Sequence, residues 1–136
     1  MLHRASAIGD LGRYQLEAAL QSAHVDHRRS GHADWQAVVR LYDALFELTR
    51  SPVVAINRTL AVAELHGPSA ALEALPDSAN DARLLEYQPY WAARADLLTR
   101  AARYSEARNA YEIAIGLERD PAVRGFLQRR QQALND

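Results

Sequence analysis

Apolar residues recur along most of this chain at intervals of three and four, the spacing of a helix with one buried stripe. Leu16, Ala19, Leu20, Ala23 and His27 form such a stripe and predict a helix from Arg13 to about His27. Trp35, Val38, Leu41, Tyr42, Leu45 and Leu48 form the next, with Asp34 placed to accept at the helix start. Ser51 followed by Pro52 is a cap and a first-turn proline, and opens a third helix. That helix is apolar over much of its circumference (Val53, Ala55, Ile56, Thr59, Leu60, Val62, Ala63) and is expected at the centre of the domain. Gly67 closes it and Pro68 opens a short helix from Ser69 to Leu75. After a loop from Pro76 to Asp81, Asn80 or Asp81 caps Ala82–Tyr87, and Pro89 restarts or kinks the chain. Helices then follow over Tyr90–Ala101, Ser105–Leu117 and Pro121 to near Leu134. At the other end, Leu2, Ala5 and Ile8 share a face with no start signal before them, and Gly9-Asp10-Leu11-Gly12 reads as a break. The chain is expected to begin in mid-helix, as a piece of a longer protein.

The strongest local pattern lies between Trp91 and Ala114. Trp91, Ala95 and Leu98 fall on one helical face and Ala107, Tyr111 and Ala114 on another, with a turn expected at Arg103-Tyr104-Ser105. Large and small residues alternate across the two faces, so the helices can approach closely. The pattern resembles a tetratricopeptide hairpin, with Ala95 and Ala102 where the repeat has glycines and Pro121 near its closing proline. A second, degenerate copy runs from Ala55 to Leu75, with Ala55, Ala71 and Leu75 answering Trp91, Ala107 and Tyr111. The last helix turns Val123, Phe126, Leu127 and Leu134 inward and Arg124, Arg129 and Arg130 outward, as a cap on a stack. The expectation is an all-α fold: one helical-repeat domain over residues 1–136, a tetratricopeptide-like stack of antiparallel hairpins with about seven helices.

Composition narrows the function classes. The 136 residues contain no cysteine, which excludes disulfides and thiol chemistry and fits the cytoplasm. No run of apolar residues is long enough to cross a membrane, and no signal peptide opens the chain. A net charge of −1 argues against direct contact with nucleic acid. Every basic residue that counts toward it is Arg. No nucleophile sits in a glycine-framed elbow, no glycine-rich phosphate loop occurs and carboxylates are scattered, so no enzyme and no cofactor is expected. His24, His27 and His32 lie close enough in sequence to suggest a metal, but without a fixed fourth ligand they read better as a helix end and its loop.

Asn57 and Arg58 are a polar pair inside the most apolar helix, and Arg94 lies in a similar place beside Trp91. Such groups are either ion-paired, with Asp43, Glu64 and Asp96 as partners, or line a groove. Asn57, Arg58, Tyr90 and Arg94 are therefore the candidate partner-binding residues. Exposed rings around Tyr14 or Tyr87–Trp91 would add a binding patch, and an exposed apolar face on the second helix would favour a homodimer.

Several segments carry a more specific resemblance. Gly12–Ala19, Leu41–Leu45, Ser51–Ala63, Gly67-Pro68, Ala92–Leu98, Glu106-Ala107 and Phe126-Leu127 resemble, in the same order, the C-terminal extension of a group of extracytoplasmic-function sigma factors. That group belongs to the sigma-70 family and carries a tetratricopeptide-like C-terminal domain. The resemblance implies a regulatory role in transcription initiation. The domain would bind the sigma domains, RNA polymerase or another protein through its groove. The promoter-reading domains of the family have no counterpart in these residues, so no DNA contact is implied. The alternative is a ligand- or metal-sensing domain whose docking changes on binding.

Overall fold

The computed structural model describes the backbone of residues 2–134 and the side chains of residues 9–134. Eight helices are present among them and no strand: α1 (Leu2–Ser30), α2 (Trp35–Thr49), α3 (Pro52–His66), α4 (Pro68–Ala74), α5 (Ala82–Leu85), α6 (Gln88–Arg100), α7 (Tyr104–Leu117) and α8 (Pro121–Ala133). The fold is all-α. The chain forms two compact units, Met1–Leu65 and His66–Asp136.

Four of the helix starts follow from side-chain caps. The Asp34 carboxylate accepts from the Ala37 amide at 3.1 Å, and the Ser51 hydroxyl accepts from the Val53 amide at 3.2 Å. Asp81 accepts from Arg83 at 3.0 Å and Asp120 from Ala122 at 2.9 Å. Each side chain satisfies an amide that has no partner inside its helix. Gly67, between α3 and α4, holds φ at 91°, a conformation that a side chain resists. Pro89 restarts the chain: it stands in the first turn of α6, where its missing N–H is not needed.

Two expected boundaries differ. The break at Gly9-Asp10-Leu11-Gly12 does not occur, and α1 runs straight through it. Each glycine costs a helix only about 1 kcal/mol relative to Ala, and neither adopts a positive φ here. Gly12 faces α2, where a Cβ would make an ordinary contact with the Leu48 side chain at 3.7 Å. The face shared by Leu2, Ala5 and Ile8 lies outside the described side chains. The turn of the main hairpin sits earlier than expected, at Ala101-Ala102-Arg103. The Arg103 amide donates to the Leu98 carbonyl at 2.9 Å and the Ala102 amide to Thr99 at 3.0 Å, closing α6 in a Schellman motif. Ala102 occupies the left-handed position of that motif, with φ at 61°.

In the second unit α6 packs on α7, α7 on α8 and α4 on α6. Its core joins Ala95, Leu98, Ala107, Ala110, Tyr111, Ala114, Ile115 and Leu127, with Trp91 against it. Ala95, Ala107 and Ala114 are wholly buried, so the small positions lie on the helix–helix seam, as the pattern predicts. Ala71 is equally buried and Leu75 nearly so, matching their partners in the second copy, although α4 has half the length of α7. On α8 only part of the expected inward face is covered. Leu127 is buried, whereas Val123 and Phe126 are exposed, the latter under the Arg130 guanidinium at 5.8 Å.

In the first unit α1 packs on α2, around Leu20, Val38, Tyr42, Leu45 and Ala61. Helix α3 is buried on two sides. Ala61 joins that cluster, while Ile56, Thr59, Val62 and Ala63 make a second covered row. Thr59 keeps its buried hydroxyl satisfied by donating to the Ala55 carbonyl at 2.9 Å.

Candidate functional site

A cleft in the first unit collects polar side chains from all three of its helices. Helix α1 contributes Arg13, Glu17, Gln21 and His24, spaced by four, four and three, so they share one face. Helix α2 contributes Trp35, Tyr42 and Thr49, and α3 contributes Val53, Asn57, Leu60 and Glu64 at similar spacing. The cleft has two lobes, of about 320 and about 710 Å³. Both are lined by His24, Tyr42 and Asn57, which form the divide between them.

At the divide, His24 Nε2 and the Tyr42 hydroxyl are hydrogen-bonded at 3.1 Å, joining α1 to α2. Tyr42 is 7% exposed, and burial pushes its phenol above its ordinary pKa. Next to it, Trp35 meets the His27 ring edge to face at 5.1 Å, which fixes the wall of the smaller lobe. At the far end of the larger lobe, Arg13 Nε donates to Glu17 at 2.9 Å on the exposed side of α1. The central groups are hydrogen-bonding side chains set among Leu20, Leu45, Val54 and Leu60. Such a surface suits main-chain amides or an uncharged polar ligand.

The four candidate residues fall in two places, Asn57 and Arg58 on α3 and Tyr90 and Arg94 on α6. Asn57 is exposed and faces both lobes. Arg58, its neighbour, turns to Asp43 on α2 and forms an ion pair, the structural role weighed for it. With both side chains partly in solvent, that pair contributes at most about 1 kcal/mol. Tyr90 is 1% exposed, and its hydroxyl donates to the Pro76 carbonyl at 2.8 Å, at the edge of a second-unit cleft that it lines together with Arg94. Arg94 is half-buried in the second unit, where it borders a cleft of about 370 Å³ with Asp77, Ser78 and Trp91. Asp96, also considered for these arginines, instead accepts from Arg100 and Arg130.

The histidines make separate contacts. His24 is bonded to Tyr42 and His27 packs on Trp35, while the His32 backbone amide donates to the Ser30 hydroxyl. Among the described residues no three metal-ligating side chains converge. Of the aromatic positions, Tyr14 is 70% exposed, with Leu11 and Leu48 also open on α1 and α2.

Glu17, Gln21 and Tyr42 were missed as site residues. The signal was present in the spacing of Arg13, Glu17, Gln21 and His24, a polar row beside the apolar stripe of the same helix. A polar row is the ordinary solvent face of an amphipathic helix. Nothing local distinguishes one that is roofed by another helix.

No helix among the described residues is long and apolar enough to cross a membrane. No family model matches the chain. It is similar to an uncharacterized protein of Rhizobium meliloti (strain 1021), 37% identical over 117 residues, which cover 86% of this chain and 27% of the relative. The chain thus spans about a quarter of the length of the curated relative it matches.

Proposed function

We propose that this chain is a regulatory protein-interaction domain of a sigma-70 family sigma factor. It acts in transcription initiation in the cytoplasm, by docking a protein segment in the first-unit cleft. The segment comes from the sigma domains, from RNA polymerase or from a regulatory partner. No chemistry of its own and no promoter contact are assigned to it. The observation that carries the docking role is the cleft itself. Three helices present hydrogen-bonding side chains there, at one face each, among apolar walls. Support for the sigma-factor context comes from the ordered resemblance of Ser51–Ala63 and its flanking segments. The Rhizobium relative extends far beyond the matched part, as a domain carried on a longer chain requires.

The test is a pull-down of this 136-residue chain against the unmatched remainder of the Rhizobium relative and, separately, against core RNA polymerase. Capture that Gln21→Ala and Asn57→Ala abolish, and that Arg58→Ala leaves intact, supports the reading. Capture indifferent to the cleft changes sinks it, and absence of capture by both rules out the sigma domains and polymerase as the source of the segment.

A second reading, a ligand-sensing domain, is favoured by the size of the cleft, which falls in the range of small-molecule sites. A ligand spanning both lobes would have to break the His24–Tyr42 bond, and so would act on the packing of α1 against α2.

A further inference from the structure

The second unit holds another cleft, of different chemistry and independent of the docking role. Helix α8 returns along α7, so its C-terminal turn lies beside the start of α7. Gln131 Nε2 donates to the Arg108 carbonyl at 3.2 Å and to Glu112 at 2.7 Å. Between these helices and the end of α6 lies a space of about 530 Å³, lined by Thr99, Tyr104, Tyr111, Arg130, Ala133 and Leu134. The helical spacing of Arg130, Ala133 and Leu134 puts one cation and two apolar residues on the same face. Tyr104 and Tyr111, two turns apart, supply the opposite wall.

Arg130 is held in place before any ligand arrives. Its Nη2 donates to Asp96 at 3.1 Å, and its guanidinium stacks over Phe126. Tyr111, then Asp96, hold its pKa above the ordinary value. Asp96 is shared with Arg100, at 3.3 Å, so it is not committed to Arg130 alone. Among the described residues the lining contains one guanidinium, three hydroxyls and no carboxylate. A positive group with hydroxyl donors around it, above an apolar floor, is complementary to an oxyanion on an apolar body.

We propose that this cleft is a binding site for a small organic carboxylate. The carboxylate meets Arg130 and the Tyr104 and Tyr111 hydroxyls, and its apolar part rests on Ala133 and Leu134. The Thr99 hydroxyl donates to the Ala95 carbonyl at 2.8 Å, so it can serve the ligand only as an acceptor. A protonated or amide-bearing ligand would use it, whereas a carboxylate would be turned toward the tyrosines.

The experiment is a titration of the uniformly 15N-labelled 136-residue chain with sodium benzoate, followed by amide chemical shifts. Benzyl alcohol and inorganic phosphate are titrated in parallel. Saturable shifts at Thr99, Tyr104, Ala133 and Leu134, absent with benzyl alcohol and weaker with phosphate, are expected. Arg130→Gln should weaken benzoate by about tenfold, the scale of one charge-assisted hydrogen bond. Tyr104→Phe, a change at an exposed side chain that leaves the packing intact, should weaken it about threefold, the loss of one ordinary hydrogen bond. Failure to saturate, equal shifts with benzyl alcohol, or unchanged affinity in both variants overturns the proposal. Phosphate binding as tightly as benzoate overturns the apolar half of it.

Discussion

The two units use the same kind of helix in opposite ways. In the second, the α6–α7 seam is built from Ala95, Ala107, Ala110 and Ala114, and the helices close on each other with Leu98 and Tyr111 filling what remains. In the first, α3 meets α1 and α2 through fewer apolar groups, and the space beside them is left as a cleft edged by Gln21, His24 and Asn57. Small residues at a seam bring backbones together and leave no slack. Polar residues at helical spacing hold a surface open, because burying them unpaired would cost more than the packing returns. The α6–α7 seam of the second unit is thus closed, whereas the space beside α3 in the first stays open.

Truncation in the core is the largest effect by which that contrast can be broken. Leu98→Ala should cost about 4 kcal/mol, because the surrounding alanines cannot collapse into the void. Leu20→Ala, at the wall of the cleft, should cost nearer 2 kcal/mol, since the lobe beside it can absorb the change. Guanidinium chloride unfolding followed by circular dichroism measures both. Equal costs would mean that the first unit is as tightly packed as the second.

A smaller effect sharpens the contrast at the turns. Ala102 carries a left-handed backbone without the freedom of glycine, so Ala102→Gly should stabilise the chain by about 1 kcal/mol. Arg50 has the same conformation at the end of α2. There the gain from Arg50→Gly should be less, because the guanidinium also packs over Phe46 and pairs with Glu47. Denaturation midpoints of the two variants decide it.

The smallest effect concerns pH. Burial raises the Tyr42 pKa in the folded state above its ordinary value of 10.0. The folded chain therefore keeps that proton to higher pH than the unfolded chain does. The associated stability is complete below the unfolded value and is lost as pH rises through the folded one. Tyr42→Phe should remove this alkaline component and, through loss of the bond to His24, cost about 1 kcal/mol at neutral pH. Stability profiles between neutral and strongly alkaline pH, compared for the two proteins, check the sign.

Much of this architecture is legible in local residues. Asp34, Ser51, Asp81 and Asp120 announce helix starts because a cap needs only the amides two or three residues on. The seam of the α6–α7 hairpin is legible for a similar reason: one short turn joins its two halves, so spacing alone sets which faces meet. The glycines at positions 9 and 12 mislead, since a penalty of about 1 kcal/mol each is easily outweighed along a 29-residue helix. Val123 and Phe126 share the apolar spacing of Leu127 yet are exposed, since spacing does not tell which part of an apolar face another helix covers.

Taken by itself, then, the sequence determined that this is a helical protein, where its helices begin, and which small residues let two of them close. Those properties depend on neighbours within a turn or two along the chain. Only the tertiary structure decided that Arg58 belongs to Asp43 while Asn57 faces open space, and that Tyr90 is core. It also decided that polar rows on α1 and α3 share one cleft. The physical reason is that hydrogen-bonding groups on a helix surface look alike in sequence. Whether water, a carboxylate or another helix lies opposite is fixed by chain segments tens of residues away.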